Sequence, residues 1–261
     1  MNEKVEVLIS AMHQTDLELF DKTKVRTDGL LINQCNENNV KQKCKYGRQY
    51  KMISTKERGL SRSRNMALEN AHGDYCLLCD DDEVLYEDYE DKIIDAYKRY
   101  PDADIICFKV LLEGKTYSDK SYKIGYLKAL RVSSIQVTIK LKSIKKSGVT
   151  FDEKYGSGTP MGSGEENIFI YDCLKKGLKA YYVPVIIGEA MQFESNWFKG
   201  FTDEYFVKRG SIIYRLMGKF GVIYCAYFAI TKFKRYRNNM NMIRAFSLMI
   251  RGLKENTKMK I

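Results

Sequence analysis

Residues 73–85 read GDYCLLCDDDEVL, a short apolar run driven straight into four acids. Adjacent like charges repel, and carboxylates beside apolar walls lose solvation. Elsewhere such a run is an ordinary solvated turn. Here it follows Tyr75 to Cys79, which reads as a buried strand. A strand ending in Asp-x-Asp points its first and third acids to one side, so Asp80 and Asp82 face one ligand and Asp81 faces away. A hard divalent cation, Mg2+ or Mn2+, accounts for the crowding, since it takes one or two carboxylates together with phosphate and water oxygens.

Working outward, strands and helices alternate. Val5 to Ser10 reads as a first strand, Gly29 to Ile32 as a second, and a third lies near Tyr50 to Ser54. Leu17 to Lys22 is a short helix. Leu60 to Ala71 is helical, with Ser61 as N-cap and Gly73 as stop. Asp88 to Tyr100 is an amphipathic helix closed by Pro101, and Ile105 to Leu112 is a further strand. This alternation predicts an α/β fold with a mainly parallel, Rossmann-like sheet flanked by helices. Ligands of such sheets sit outside the carboxyl ends of the strands. The polar clusters after Ile9, Ile32 and Cys79 all fall at that edge, so three loops converge on one crevice.

The segment RGLSRSRNMALENAHGDYCLLCDDDEVLYEDY resembles the core signature of family 2 glycosyltransferases, which have the GT-A fold. Gly59, Arg64, Asn65, Gly73 and Asp74 take framework positions, and Asp80 and Asp82 are the Asp-x-Asp acids. A second stretch, Gly164-Glu165-Glu166-Asn167-Ile168-Phe169, resembles the Gly-Glu-Asp motif that precedes a helix in this family. The two lie in order, about 85 residues apart, and the likeness covers roughly residues 4–190. In particular, GLSRSRN, DDD and SGEEN together are similar to glycosyltransferases of bacterial capsule and surface-polysaccharide assembly.

That resemblance implies an inverting transfer from a nucleotide sugar, most often a UDP-sugar, to a hydroxyl of a saccharide or lipid-linked acceptor. It places Ser10, Met12, Gln14, Asn33, Gln34, Arg64, Asp80 and Asp81 around the donor. Asp82 and Asp80 hold Mn2+ or Mg2+. Glu166 matches the base that takes the acceptor proton, where Asp is usual, and Glu165 is its rival; the two acids also suit a helix N-terminus. Many relatives carry Asp-Asp or Asp-Asn after the second strand to read uracil. Asn33-Gln34 stands there instead and leaves the base open.

Other features carry less. Cys76 and Cys79 are three apart on a strand and face opposite sides, so they read as core rather than as a metal pair. Two histidines are too few for a zinc cluster, although His13 lies in the first ligand loop. The run from Tyr155 to Gly164 lacks the ending of a phosphate loop and suits a mobile wall of the acceptor site, or a simple connector. Seven cysteines without framework spacing suit a reducing cytoplasm. The N-terminus does not read as a signal peptide, and no apolar run reaches the length of a span.

The net charge of +11 is concentrated at one end. Residues 199–261 hold 14 basic and 3 acidic residues, whereas 1–198 are balanced. The expected organisation is a catalytic domain over 1–198, binding the nucleotide sugar with about 1–112 and the acceptor with about 113–198, followed by a basic helical extension over 199–261. Phe220 to Ile230 is an apolar run of 11 residues within that extension. It suits peripheral attachment to an anionic inner membrane face. The rival readings are a nucleotidyltransferase, which would usually show a Gly-rich basic loop near the first strand that LISAMHQTD lacks, and a nucleic-acid-binding protein, which a neutral body with an acidic crevice does not suit.

Overall fold

The stretch VEVLISAM cannot face water on either side, and Val5–Met12 forms β1, buried at every position but its last. It pairs in parallel with β2 (Asp28–Gln34) and with β5 (Tyr75–Asp80), and β2 pairs in parallel with β4 (Arg48–Thr55). Beyond β5 the sheet continues through the antiparallel β9 (Val137–Lys140) to β7 (Ile105–Leu111). The latter pairs in parallel with β10 (Ala180–Ala190). Short strands β6 (Glu83–Leu85) and β8 (Tyr122–Ile124) run antiparallel to β10. With β3 (Asn39–Lys45) at one edge, the order is β3-β4-β2-β1-β5-β9-β7-β10-β6. This computed structural model describes residues 3–133, 136–190 and 200–258. The chain divides into two compact units, 1–193 and 194–261.

Each face of the sheet carries its own core. On one, Val7, Ile9, Leu31, Leu77 and Cys79 pack under α1 (Glu18–Lys22) and α3 (Tyr89–Arg99). On the other, Leu8, Leu30, Ile32, Cys76 and Leu78 pack under α2 (Leu60–Asn70), α5 (Leu141–Ser147) and α6 (Glu165–Lys175). The short α4 (Tyr126–Ala129) adds Ala129 to this second core. Cys76 and Cys79 therefore lie on opposite faces, as their spacing requires, and burial pushes both thiols well above their usual range.

Three local expectations change. The cap of α2 is Gly59, at φ 112°, and Ser61 lies buried inside the helix with its hydroxyl donated to the Tyr155 carbonyl. Gly73 does not act as a left-handed stop. A Cβ there would sit 2.7 Å from Glu6 Cβ, and the Gly73 and His72 amides both donate to the buried Glu6 carboxylate at 2.7 Å. The polar stretch after Ile32 contains β3, joined to β4 through Tyr46 and Gly47, both at positive φ. An edge strand exposed on both faces has no apolar alternation to reveal it.

The second unit is helical: α7 (Asp203–Met217), α8 (Gly221–Thr231), α9 (Phe233–Tyr236) and α10 (Met242–Lys258). Gly210 and Gly252 let the backbones of α7 and α10 touch, since a Cβ on either would collide with the Met249 or Val207 carbonyl. Arg244 also donates to Asp203 at 2.7 Å across the pair. One helical stretch among the described residues, Asp203–Thr231, is long and apolar enough by length and composition to cross a membrane. No unbroken apolar run marks it in the sequence, because Lys208, Arg209, Arg215 and Lys219 interrupt it. This stretch is not a straight rod. It breaks at Gly218 (φ 58°), and a Cβ on Gly221 would lie 2.8 Å from Ile213, eight residues back. In a straight helix those positions are about 12 Å apart.

Candidate active site

The carboxyl ends of β1, β2 and β4 are locked together by side chains that the sequence assigned to the donor. Asn33 is fully buried. Its Oδ1 accepts from the Gln14 amide at 2.8 Å, and its Nδ2 donates to the Gln14 carbonyl at 2.7 Å and to Ser54 Oγ at 3.0 Å. The first ligand loop is thus held by both polar groups of one peptide residue. Gln34 Oε1 accepts from the Gly59 amide at 2.7 Å, which docks the start of α2 on β2. Ser10 accepts from Ser63 Oγ at 2.8 Å and ties α2 to β1. Met12 is exposed at the strand end, Gln14 is half-buried, and His13 between them takes a positive φ.

Arg64 sits beneath this edge with 2% of its side chain exposed. Its Nη2 donates to Asp80 Oδ1 and its Nη1 to Glu165 Oε1, both at 3.0 Å. The guanidinium also lies 5.7 Å from the centre of the Phe151 ring. Burial works against its charge, but Asp80, Glu165 and Glu166 outweigh that and keep it ionised. One buried cation therefore joins the end of β5 to the start of α6. Neighbouring amides hold this frame: Asn65 exchanges bonds with both backbone groups of Phe151, and Asn167 donates to the Ala129 and Val132 carbonyls.

At the start of α6 the two glutamates differ. Glu165 is 5% exposed and paired with Arg64. Glu166 is half-buried; desolvation, then the charge of Glu165, pushes its carboxyl well above the usual range. The loop before α6 lies close against Glu165 and α2. Gly156, at φ 103°, brings its Cα to where a Cβ would stand 3.0 Å from Ser61 Oγ and 3.3 Å from the Glu165 side chain.

A residue outside the motifs completes the electrostatics. Lys115 follows β7 and donates to Ser133 Oγ and, at 3.1 Å, to Gln136 Oε1. Burial pushes it down to about 8, against the opposing pull of Glu166, Cys107 and Glu83. An isolated lysine in a polar connection carries no sequence signal, so only the fold brings it here.

The acidic run does not continue as a strand. β5 ends at Asp80, and Asp81 and Asp82 form a turn, exposed and half-buried respectively. Glu83 folds back so that Oε1 accepts from the Asp80 amide at 2.7 Å, while its buried Oε2 has no partner. Desolvation, then Asp80, pushes the Glu83 carboxyl well up. No group of three or more His, Cys, Asp or Glu among the described residues is arranged to hold a metal. The hard oxygen donors of Asp80 and Asp82, beside an orphaned carboxyl oxygen, fit Mg2+ or Mn2+ taken with one or two carboxylates and completed by phosphate and water.

The sequence profile described as glycosyl transferase family 2 matches residues 21–153. No curated protein matches significantly. Among solved structures, S. aureus TarS 1–349 in complex with UDP-GlcNAc aligns with a TM-score of 0.60 at 14% identity, covering 90% of this chain and 74% of that one. TarS 1–349 alone gives 0.61 at 12% identity, over 99% and 83%. Mannosyltransferase PcManGT from Pyrobaculum calidifontis, in complex with GDP-Man and Mn2+, gives 0.52 at 11%, over 99% and 76%. At these identities the likeness shows the GT-A fold.

Proposed function

This chain belongs to glycosyl transferase family 2, and from that premise we propose that it transfers a sugar, with inversion at the anomeric carbon, from a UDP-sugar to a hydroxyl of a saccharide or lipid-linked acceptor in bacterial surface-polysaccharide assembly. One observation carries the reading: Arg64 joins Asp80 and Glu165 in a single buried network, with Glu166 beside it. Such a network would fix donor-side and acceptor-side acids relative to each other, as an in-line displacement requires.

Glu166 takes the acceptor proton as the acceptor oxygen closes on the anomeric carbon. Its raised affinity for a proton makes it a stronger base than an ordinary carboxylate, and such positioned bases contribute ~10²–10⁴-fold. Glu165 is the counter-ion of Arg64. Asp82 and Asp80 would hold the cation, and the loop over Met12 to Gln14, pinned by Asn33, forms the floor under the nucleotide. A bound Mn2+ or Mg2+ supplies Lewis-acid neutralisation of the departing diphosphate. Two structurally similar proteins support a nucleotide-sugar donor: TarS was solved with UDP-GlcNAc, and PcManGT with GDP-Man and Mn2+, so the uridine base rests on the likeness to TarS alone. The protein works in the cytoplasm, attached peripherally to the inner membrane face through residues 199–261. A screen of nucleotide sugars for hydrolysis, with and without Mn2+, tests the reading. Turnover of a UDP-sugar that collapses in chelator is expected; a protein that neither binds nor hydrolyses any nucleotide sugar is not this enzyme.

A further inference from the structure

A helix that is apolar all round is normally buried on every side. α8, GVIYCAYFAIT, has no charged residue, yet only one of its faces is covered. Gly221, Cys225, Phe228 and Ala229 point into the second unit. On the opposite face Ile223 is 72% exposed, Tyr227 52% and Ile230 63%, and Phe220 just before the helix is 79% exposed. Positions 223, 227 and 230 follow the i, i+4, i+7 spacing of a single stripe. Exposed apolar stripes of this kind mark contact sites.

Charge identifies the partner. Residues 205–254 contain eleven basic residues and no acid. Lys219 precedes the stripe, while Lys234, Arg235 and Arg237 follow it, all exposed. A second copy of this unit would bring the same positive field against itself. Nucleic acid would satisfy the charge but would leave Ile223 and Ile230 facing phosphates and sugars. An anionic lipid surface satisfies both at once: headgroups meet the bases, and the acyl boundary meets the stripe. We infer that α8 lies in the headgroup layer of an anionic membrane, with Phe220, Ile223, Tyr227 and Ile230 inserted and Lys219, Lys234, Arg235 and Arg237 on the lipid phosphates. The fold-back at Gly218 makes this an attachment on one leaflet. The inference rests on residues 199–261 being the membrane-binding part and adds which face inserts.

Flotation of the full chain with vesicles of phosphatidylcholine, with and without phosphatidylglycerol, tests it. The wild-type protein is expected to bind the anionic vesicles and to keep part of that binding in 0.5 M salt, where charge attraction alone is screened. The double variant Ile223→Glu/Ile230→Glu is expected to bind at least tenfold more weakly, with an unchanged melting temperature because both side chains are exposed. Tyr227→Trp should show a blue-shifted emission on anionic vesicles relative to the wild-type chain. Wild-type protein that ignores the vesicles overturns membrane attachment as a whole. Wild-type binding that survives in the double variant, with no shift in Tyr227→Trp, overturns the α8 face alone. Dimerisation or RNA binding abolished by the same double variant, without vesicle binding, assigns the face to that partner and also overturns the inference.

Discussion

Glu165 accepts from Arg64 Nη1 at 3.0 Å, across 101 residues of sequence, and both side chains are almost wholly buried. A carboxylate committed in this way to a buried guanidinium serves as its counter-ion, and removing it would strand the cation. Its neighbour Glu166 is left as the group that exchanges a proton. Glu166→Gln is therefore expected to keep donor binding in calorimetry while transfer falls by ~10²-fold or more. Glu165→Gln should instead lower stability, by about 3–5 kcal/mol if the buried pair behaves as others do, read as a shift in the denaturation midpoint. Loss of transfer in a stable Glu165→Gln, with Glu166→Gln active, would exchange the two roles.

The pH profile follows from the same pair. Transfer needs Glu166 ionised, and burial plus the charge of Glu165 raise its affinity for protons. The acid limb of kcat should therefore lie above the ordinary carboxylate range, with activity lost as pH falls through it. The charges of Lys115 and Glu166 attract, which favours the ionised form of the carboxyl. Lys115→Met should move the acid limb to higher pH, and Lys115→Arg should largely restore it. A limb that stays in place in Lys115→Met would remove the lysine from the site.

The motif reading names Arg64, one turn inside α2, together with Asp80, Glu165 and Glu166 at element termini, where chain direction and a short signature coincide. What it missed has a physical cause in each case. β3 is exposed along nearly its whole length, so its residues carry no burial pattern. Gly210 and Gly252 meet only because α7 and α10 cross, a relation between segments 42 residues apart that neither segment records. Asn33 looked like a base reader by position, but the fold spends both ends of its amide on Gln14 and Ser54.

That use of Asn33 gives a sharp substitution. Asn33→Asp is nearly isosteric, but it replaces the donor facing the Gln14 carbonyl and Ser54 with an acceptor. A buried group so mispaired costs about 1–3 kcal/mol. The loop over Met12 to Gln14 should loosen, so the KM for the nucleotide sugar is expected to rise more than kcat falls. An Asn33→Asp protein with wild-type stability and KM would show that the clamp does not shape the donor site.

Metal dependence should be read on binding as well as on turnover. With one or two carboxylates available, the cation is expected to bind well only when diphosphate supplies further oxygens. Calorimetric titration of UDP should therefore show strong binding with Mn2+ or Mg2+ and little in chelator, and Asp82→Ala should abolish the difference. Asp80→Ala is the less clean test, because it also strands Arg64. Equal UDP affinity in chelator, or unchanged turnover in Asp82→Ala, would contradict the assignment.

Gly156 tests whether the loop before α6 is part of the catalytic frame or a connector. Its φ of 103° is strained for any residue with a Cβ, and that Cβ would press on both Ser61 Oγ and the Glu165 side chain. Ser61 already donates to the Tyr155 carbonyl at 2.6 Å, so it has little room to yield. Displacing Glu165 instead would disturb its bond with Arg64 and hence the charges that set the proton affinity of Glu166. Gly156→Ala is thus expected to lower stability by about 1–3 kcal/mol and to shift the acid limb of the pH profile as well. Gly158 offers the comparison within the same loop. It also has a positive φ, 82°, but a Cβ there would meet the Gly59 backbone at 3.4 Å, an ordinary contact, with no catalytic acid nearby. Gly158→Ala should share the loss of stability while leaving the acid limb in place. Identical pH profiles in the two variants would make the loop a connector.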